Sequence, residues 1–377
     1  MDHRLEPAPP EAVLAKLRAP FEVFGGAWVE APVLQPLSLL LDLAGETLRS
    51  RLFVVQGDGG PEQALRPDFT IPVVQAHIES RAARGRYLYM GRAFQAAPKE
   101  SGLPHEFLQI GAELFGEAED PVADDAEVLG LAWRACRIGG RDDLTLRLGD
   151  ASLFAKFAAA VGLPEAARAR LQRALASPRA LAAEFEREER RDAAPDSRLA
   201  ELLSDLPEAE AVGVLEELWR LAGIQPVGGR SAGEIVGRLS SRAAAAKGPK
   251  LSAAEMDLVR RYVELAGPPE ATLSALDRLT RAAGGDLDAP LNDWARRLKH
   301  LTAAGAELES MALRPAYAPA FGYYDGMVFQ VESAALGEAR PVAAGGRYDA
   351  LPARLGGPKG AVGCMVRPSR AWLGGAA

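Results

Sequence analysis

Gln109 and Glu113 are the residues of this chain best placed, by type and spacing, to do chemistry. They lie in the run Phe107 to Phe115, FLQIGAELF, which alternates with the period of two that marks a strand. Leu108, Ile110, Ala112 and Leu114 share one uniformly apolar face, suited to packing on helices. Phe107, Gln109, Gly111, Glu113 and Phe115 share the other. An ordinary half-buried strand would turn its polar groups to solvent. The alternative is that Gln109 and Glu113, with the small Gly111 between them, line the floor of a pocket. There an ionised carboxylate accepts hydrogen bonds and an amide both accepts and donates, which suits a cationic, hydrogen-bonding ligand.

Two other segments fit a pocket. Gly322-Tyr323-Tyr324-Asp325-Gly326, followed by Met327 to Val331, reads as a turn feeding a strand, because Asp-Gly favours tight turns. Neighbouring side chains on a strand point to opposite faces, so only one of Tyr323 and Tyr324 is expected to share the pocket. Gly345-Gly346-Arg347-Tyr348-Asp349 reads as a loop where backbone comes close to something. The histidines (His3, His77, His105, His300) and the cysteines Cys136 and Cys364 are scattered. No pair has metal-ligand spacing, and neither a metal site nor a cofactor is expected.

The elements that must position these residues change along the chain. Residues 1 to about 150 mix helix with strand, and Arg86 to Phe94 (RYLYMGRAF) is a second strand candidate. From about 151 to 310 the chain is rich in Ala, Leu, Glu and Arg and reads as successive helices. Ser252-Ala253-Ala254-Glu255 is a capping-box pattern ahead of an apolar stripe that Gly267-Pro268 ends. Leu215, Leu218, Trp219 and Ala222 form another stripe, and the charged run Glu184 to Asp192 reads as a solvated helix face. From about 311 onward aromatics, glycines and short β-like runs return.

The 377 residues are 48% hydrophobic and 25% charged, ordinary for a globular chain with a sizeable core. With 44 basic and 51 acidic residues the net charge is -7, which gives no general attraction for polyphosphate and counts against nucleic acid. No apolar run reaches the length of a membrane span or has the form of a signal peptide, so a cytoplasmic protein is expected.

Five segments, in this order, resemble the class II histidyl-tRNA synthetase family. Leu65-Arg66-Pro67-Asp68-Phe69-Thr70 resembles its LRPEGT signature, and Phe107 to Gly116 the end of motif 2. Gly322-Tyr323-Tyr324 resembles the histidine-specific segment, and Gly346-Arg347-Tyr348-Asp349 the loop before motif 3. Ala361-Val362-Gly363 with Arg370 resembles motif 3. The resemblance implies an α+β fold: an antiparallel sheet flanked by helices, with a mostly helical insertion. It sets the core at residues 1–150 and 291–377, the insertion at 151–290, and no anticodon-binding domain after motif 3. It implies a homodimer through a motif-1 region near Phe21 to Asp42, with Pro32 at the usual motif-1 proline. It also implies histidine binding by Asp68, Thr70, Gln109, Glu113 and Tyr324, with Tyr348 as a further candidate. Asp68 stands where the signature has Glu and shortens one arm.

The departures lie on the nucleotide side. Where motif 2 has FRxE, this chain has Phe94-Gln95-Ala96-Ala97, without the arginine that binds the α-phosphate. The motif-2 loop arginines correspond to Leu103 and His105, and the arginine of the RGLDYY segment to Pro319. Losing one donor to a transition-state charge typically costs about 10²–10³ in rate, and Gln, Leu or Pro cannot replace a guanidinium fork. No catalytic residue is therefore assigned. The pattern is most similar to the branch formed by regulatory subunits of the short-form ATP phosphoribosyltransferase. That branch implies a non-catalytic subunit that binds L-histidine, associates with a separate catalytic subunit in a larger hetero-oligomer, supports its activity in the first step of histidine biosynthesis, mediates feedback inhibition, and has no tRNA partner. A divergent amino-acid adenylase and a synthetase-like binding module are the alternatives.

Overall fold

The computed structural model describes residues 4–44, 46–57, 60–175, 177–189, 202, 206–221, 232–233, 236–237, 250–317 and 322–374. Two compact units emerge, one formed by residues 1–157 with 261–377 and the other by 158–260. The resemblance places the corresponding boundaries near 150 and 290, and composition near 150 and 310.

The first unit is built on an eight-stranded sheet. Its strands are β1 (Ala27–Trp28), β5 (Gly85–Phe94), β6 (Glu106–Phe115), β7 (Leu144–Asp150), β8 (Met311–Leu313), β9 (Met327–Ser333), β10 (Ala343–Arg347) and β11 (Ala361–Val366). Across the sheet they run in the order β1-β5-β6-β11-β10-β9-β7-β8. All pairings from β5 through to β7 are antiparallel, while β1 on β5 and β8 on β7 are parallel. A small antiparallel sheet, β2 (Leu34–Pro36), β4 (Gln63–Leu65) and β3 (Val54–Val55), stands apart from it.

Both strand candidates of the first block form, and they pair with each other along their whole length, from Gly85 with Phe115 to Phe94 with Glu106. The alternation of β6 then has a direct consequence. Its apolar face packs under helix α4 (Pro121–Ile138). That helix buries Val128, Leu129, Leu131, Ala132 and Ala135 on the sheet unit. It starts where it does because the Asp120 carboxylate accepts from the amides of Val122 and Ala123 at 3.1 and 3.4 Å, with Pro121 in the first turn. Helix α1 (Glu11–Phe24) and the helix Asp288–Ala303 pack against α4 in turn. On the opposite side of the sheet lie α2 (Leu37–Ala44) and α3 (Thr70–Ser80), around a core of Phe69, Val73, Val74, Tyr89, Phe107 and Phe115.

A buried charge cluster ties the sheet to its helices. Arg347 donates to Asp125 of α4 at 2.7 Å, Arg297 donates to the other oxygen of Asp125 at 2.7 Å, and Arg347 also reaches Asp349 at 2.8 Å.

Two local expectations change. Gly345 to Arg347 belong to strand β10 rather than to a loop. Tyr323 and Tyr324 precede β9, in a turn, so strand alternation does not govern them. Both rings fall on the same side, 4.7 Å apart between centroids.

Within the second unit the described helices include Glu165–Ala174, Pro178–Glu189 and Glu208–Leu221. Ala211 and Leu215 form a small apolar cluster with Ala232 and Val236, while Ala222 lies outside the described residues. The charged run beginning at Glu184 is not simply a solvated face. Arg170, itself buried, reaches Glu184 at 3.2 Å and also pairs with Glu188, which is 1% exposed. The carboxylate of Glu188 also accepts the amide of Leu251 at 3.2 Å. The remainder of that run, from residue 190, lies outside the described residues. The capping box forms as read: Ser252 Oγ accepts the amide of Glu255 at 3.2 Å, and the Glu255 carboxylate accepts the amide of Ser252 at 2.7 Å.

Among the described residues no helix is long and apolar enough to cross a membrane. Nor do three His, Cys, Asp or Glu side chains come together there as a metal would require.

Candidate functional site

The polar face of β6 floors a cavity of about 660 Å³. Gln109 and Glu113 rise from β6, and Asp68 and Thr70 come from the start of α3. Tyr324 and Tyr348 close the side formed by β9 and β10. All six residues read as ligand-binding in the sequence thus line one space. Gln95 and Leu103 line it as well. His105 stands beside the lining, its ring 2.8 Å from Arg4 and edge-on to Phe53. Pro319 lies outside the described residues.

Glu113 is the most elaborately held group. Thr70 Oγ1 donates to its Oε1 at 3.0 Å, and the Tyr348 hydroxyl donates to its Oε2. It can stand upright because its partner across the β6–β11 register is Gly363, where any side chain would collide with the carboxylate. Gly111 makes similar room for the ring of Tyr89. Asp68 accepts the Thr70 amide at 3.2 Å and the Tyr323 hydroxyl at 3.4 Å.

The two carboxylates are both deeply buried, 7% and 1% exposed. Burial pushes Asp68 up to about 6, against the hydrogen bonds it accepts. Burial pushes Glu113 up to about 8, opposed by the hydroxyls of Tyr348 and Thr70, while the charge of Asp68 raises it further. Removing a carboxylate from water disfavours its charged form, and a second acid nearby adds to the effect. Gln109, 2% exposed, has an Oε1 with no hydrogen-bond partner among the described residues. Such a buried acceptor is costly unless a donor reaches it. The floor therefore offers two acids and one open acceptor to a ligand that brings positive charge and N–H groups. The walls suit a flat ring, since Tyr324 and Tyr348 stand nearly perpendicular, with centroids 6.1 Å apart.

Several lining residues carry no signal in the sequence. Strand alternation admits only one of Tyr323 and Tyr324, yet both line the cavity, and Tyr89 faces the same space from β5. Arg51, Arg367 and Arg370 line the cavity, and of these only Arg370 falls in a recognisable motif. Arg51 holds Gln95 Oε1 at 2.7 Å, and Gln95 Nε2 holds the carbonyl of Pro67 at 2.8 Å. Gln95 is thereby an internal brace of the Asp68 segment. No local pattern marks Arg51 or Arg367, whose roles depend on where β11 and the segment after α2 come to rest.

Comparison with known proteins adds the relationship. The histidyl-tRNA synthetase family model matches residues 7–225 and 211–370. The chain is 32% identical over 349 residues to an ATP phosphoribosyltransferase regulatory subunit of Brucella anthropi, covering 91% of each. It is 34% identical over 333 residues to one of Brucella canis, covering 87% of each. Among solved structures it is similar to an ATP phosphoribosyltransferase regulatory subunit/histidyl-tRNA synthetase from Bacillus halodurans, with a TM-score of 0.64 and 19% identity, covering 99% of this chain and 82% of that one. It is also similar to a histidine–tRNA ligase subunit from Alicyclobacillus acidocaldarius, with a TM-score of 0.56 and 21% identity, covering 98% of this chain and 94% of that one. At those identities the structural matches speak to the fold, which is that of the class II synthetases.

Proposed function

The chain belongs to the histidyl-tRNA synthetase family and, within it, to the ATP phosphoribosyltransferase regulatory subunits, and from that premise we propose that its cavity is a sensor site for L-histidine. Asp68, Thr70, Gln109, Glu113, Tyr324 and Tyr348 are the binding residues. The observation that carries this reading is the floor itself: two buried acids beside a buried Gln109 Oε1 that has no partner among the described residues. An α-ammonium and an imidazole N–H supply the charge and the donors this floor needs, and the tyrosine walls suit the imidazole ring.

In this proposal the chain carries out no aminoacylation. The guanidinium that would clamp an α-phosphate is replaced by Gln95, whose two amide atoms are spent on Arg51 and Pro67. Instead it assembles, as a homodimer within a larger hetero-oligomer, with a short-form phosphoribosyltransferase catalytic subunit in the cytoplasm. It supports the first step of histidine biosynthesis and relays feedback inhibition. Histidine must then favour one conformation of the assembly over another, since a ligand shifts an equilibrium only by its differential affinity.

Calorimetric titration of the full chain with L-histidine, alone and with the catalytic subunit, tests the sensor role. Saturable binding that Glu113→Ala weakens is expected, together with histidine inhibition of the complex that the same change relieves. Absence of binding in both settings would remove the proposal, as would histidine-dependent pyrophosphate exchange with ATP.

A further inference from the structure

The acids of the floor meet only the positive half of an amino acid. A free α-amino acid also carries a carboxylate, and a carboxylate taken out of water needs a cation or several donors. Three arginines line the cavity, Arg51, Arg367 and Arg370. Arg367 and Arg370 are turned to the Glu6 carboxylate, which accepts from an Nη of Arg367 at 3.3 Å and from Nε of Arg370 at 2.7 Å. Arg51 is placed differently, on the side of Asp68.

Arg51 ends the short helical turn Glu46–Arg51, and the segment after β5 fixes it at two points. Its backbone carbonyl accepts the Ala96 amide at 2.8 Å, and an Nη of its side chain donates to Gln95 Oε1 at 2.7 Å. Gln95 Nε2 in turn donates to the carbonyl of Pro67, the residue before Asp68, at 2.8 Å. One amide side chain therefore spaces the guanidinium from the Asp68 segment, and the two charges feel each other. Burial disfavours the charged form of both groups, and each charge partly offsets that at the other. An α-amino acid bears its two charges on one carbon, so an ammonium held by Asp68 brings its carboxylate to the neighbouring cation. The planar fork of a guanidinium matches that carboxylate. The imidazole then extends toward Glu113 and Gln109 on β6.

We propose that Arg51 is the carboxylate anchor of this cavity, and that it restricts the site to ligands with a free α-carboxylate. The positive charge that Gln95 does not carry is supplied beside it by a residue from another segment. This assignment rests on the histidine reading and adds to it the direction in which the ligand lies. A site built to bond one polar group of its ligand rejects the analogue that lacks it.

L-Histidinol keeps the ammonium and the imidazole and has an alcohol in place of the carboxylate, so it isolates the contribution of Arg51. Calorimetry on the full chain is expected to show L-histidine binding about tenfold or more tighter than L-histidinol, the range for a hydrogen bond between charged groups. Arg51→Met is expected to weaken histidine to the level of histidinol and to leave histidinol unchanged, and Arg51→Gln should do the same if Arg51→Met fails to fold. A purely bracing role through Gln95 would instead weaken both ligands alike, which would overturn the proposal. Equal affinity for the two ligands in the unaltered chain would overturn it too, as would a preference that survives loss of Arg51. In those cases histidine binding that Glu113→Ala weakens would leave the sensor reading standing, whereas absence of histidine binding to the unaltered chain would remove both.

Discussion

Gly363 faces Glu113 across the β6–β11 register, and a Cβ at that glycine would fall on the carboxylate. The floor of the cavity therefore depends on a residue that contributes no functional group. Gly363→Ala is expected to tilt Glu113 out of reach of Thr70 and Tyr348. Loss of one charge-assisted hydrogen bond is worth about 1.5–3 kcal/mol, so histidine affinity should fall by at least about tenfold. Calorimetry measures it, with circular dichroism to establish that the fold persists.

Binding is expected to release protons. With Asp68 raised to about 6 and Glu113 to about 8, Glu113 is mostly protonated near pH 7. A cationic group placed beside it favours the carboxylate, so up to about one proton leaves per ligand bound. Titrations at pH 7 in two buffers of different ionisation enthalpy read this directly, and identical heats in both would contradict it.

The same shifts fix the pH dependence of stability. Both folded-state values lie above the ordinary ones of 3.8 and 4.5, so the folded chain keeps protons that the unfolded chain has given up. Stability from these groups is fully present below about pH 4 and is lost as pH rises, through about 6 for Asp68 and about 8 for Glu113. Glu113→Gln is expected to remain protonation-neutral and so to gain stability relative to the unaltered chain between pH 5 and 8. Urea denaturation across that range measures the difference.

Tyr348→Phe removes a donor that favours the charged form of Glu113. The midpoint of proton release should move to higher pH, and affinity at pH 7 should fall by about tenfold, as expected for a lost hydrogen bond to a charged group. Tyr87→Phe, whose hydroxyl is engaged with His77 and Ser80 away from the cavity, serves as the control and should leave both unchanged.

Arg347→Met strips Asp125, which is fully buried, of one of its two guanidinium partners. Removing one member of a buried ion pair typically costs about 3–5 kcal/mol. Chemical denaturation should show a loss of that order. The double change with Asp125→Asn should recover part of it, since the carboxylate left short of positive charge is gone.

Strand β6 is legible in the sequence because its long alternating run fits little besides a strand with two unlike faces, and the aromatic-rich run of β5 is legible as a strand candidate beside it. The family resemblance points to the six proposed binding residues. What stays hidden depends on tertiary placement. Strand geometry allows only one of Tyr323 and Tyr324 into the pocket, and both enter it because they precede β9, where that periodicity does not apply. Arg367 has no motif of its own and matters because β11 ends over Phe107. Gln95 is recognisable as a missing arginine, whereas its bracing of Arg51 and Pro67 arises only where those segments meet. Glu188 belongs by composition to a solvated run and is buried by a partner from the preceding helix.

The strand order carries a consequence for how the molecule is made. β11 lies between β6 and β10, pairing Ala361 with Phe115, so the centre of the sheet is complete only when segments far apart along the chain have met. Until then Glu113 has no Gly363 opposite it and no Tyr348 beside it. Pairings between segments so distant along the chain form late, after the loops between them have closed. If the cavity is the proposed sensor, a chain in which β11 has not yet joined the sheet is expected to be deaf to the amino acid.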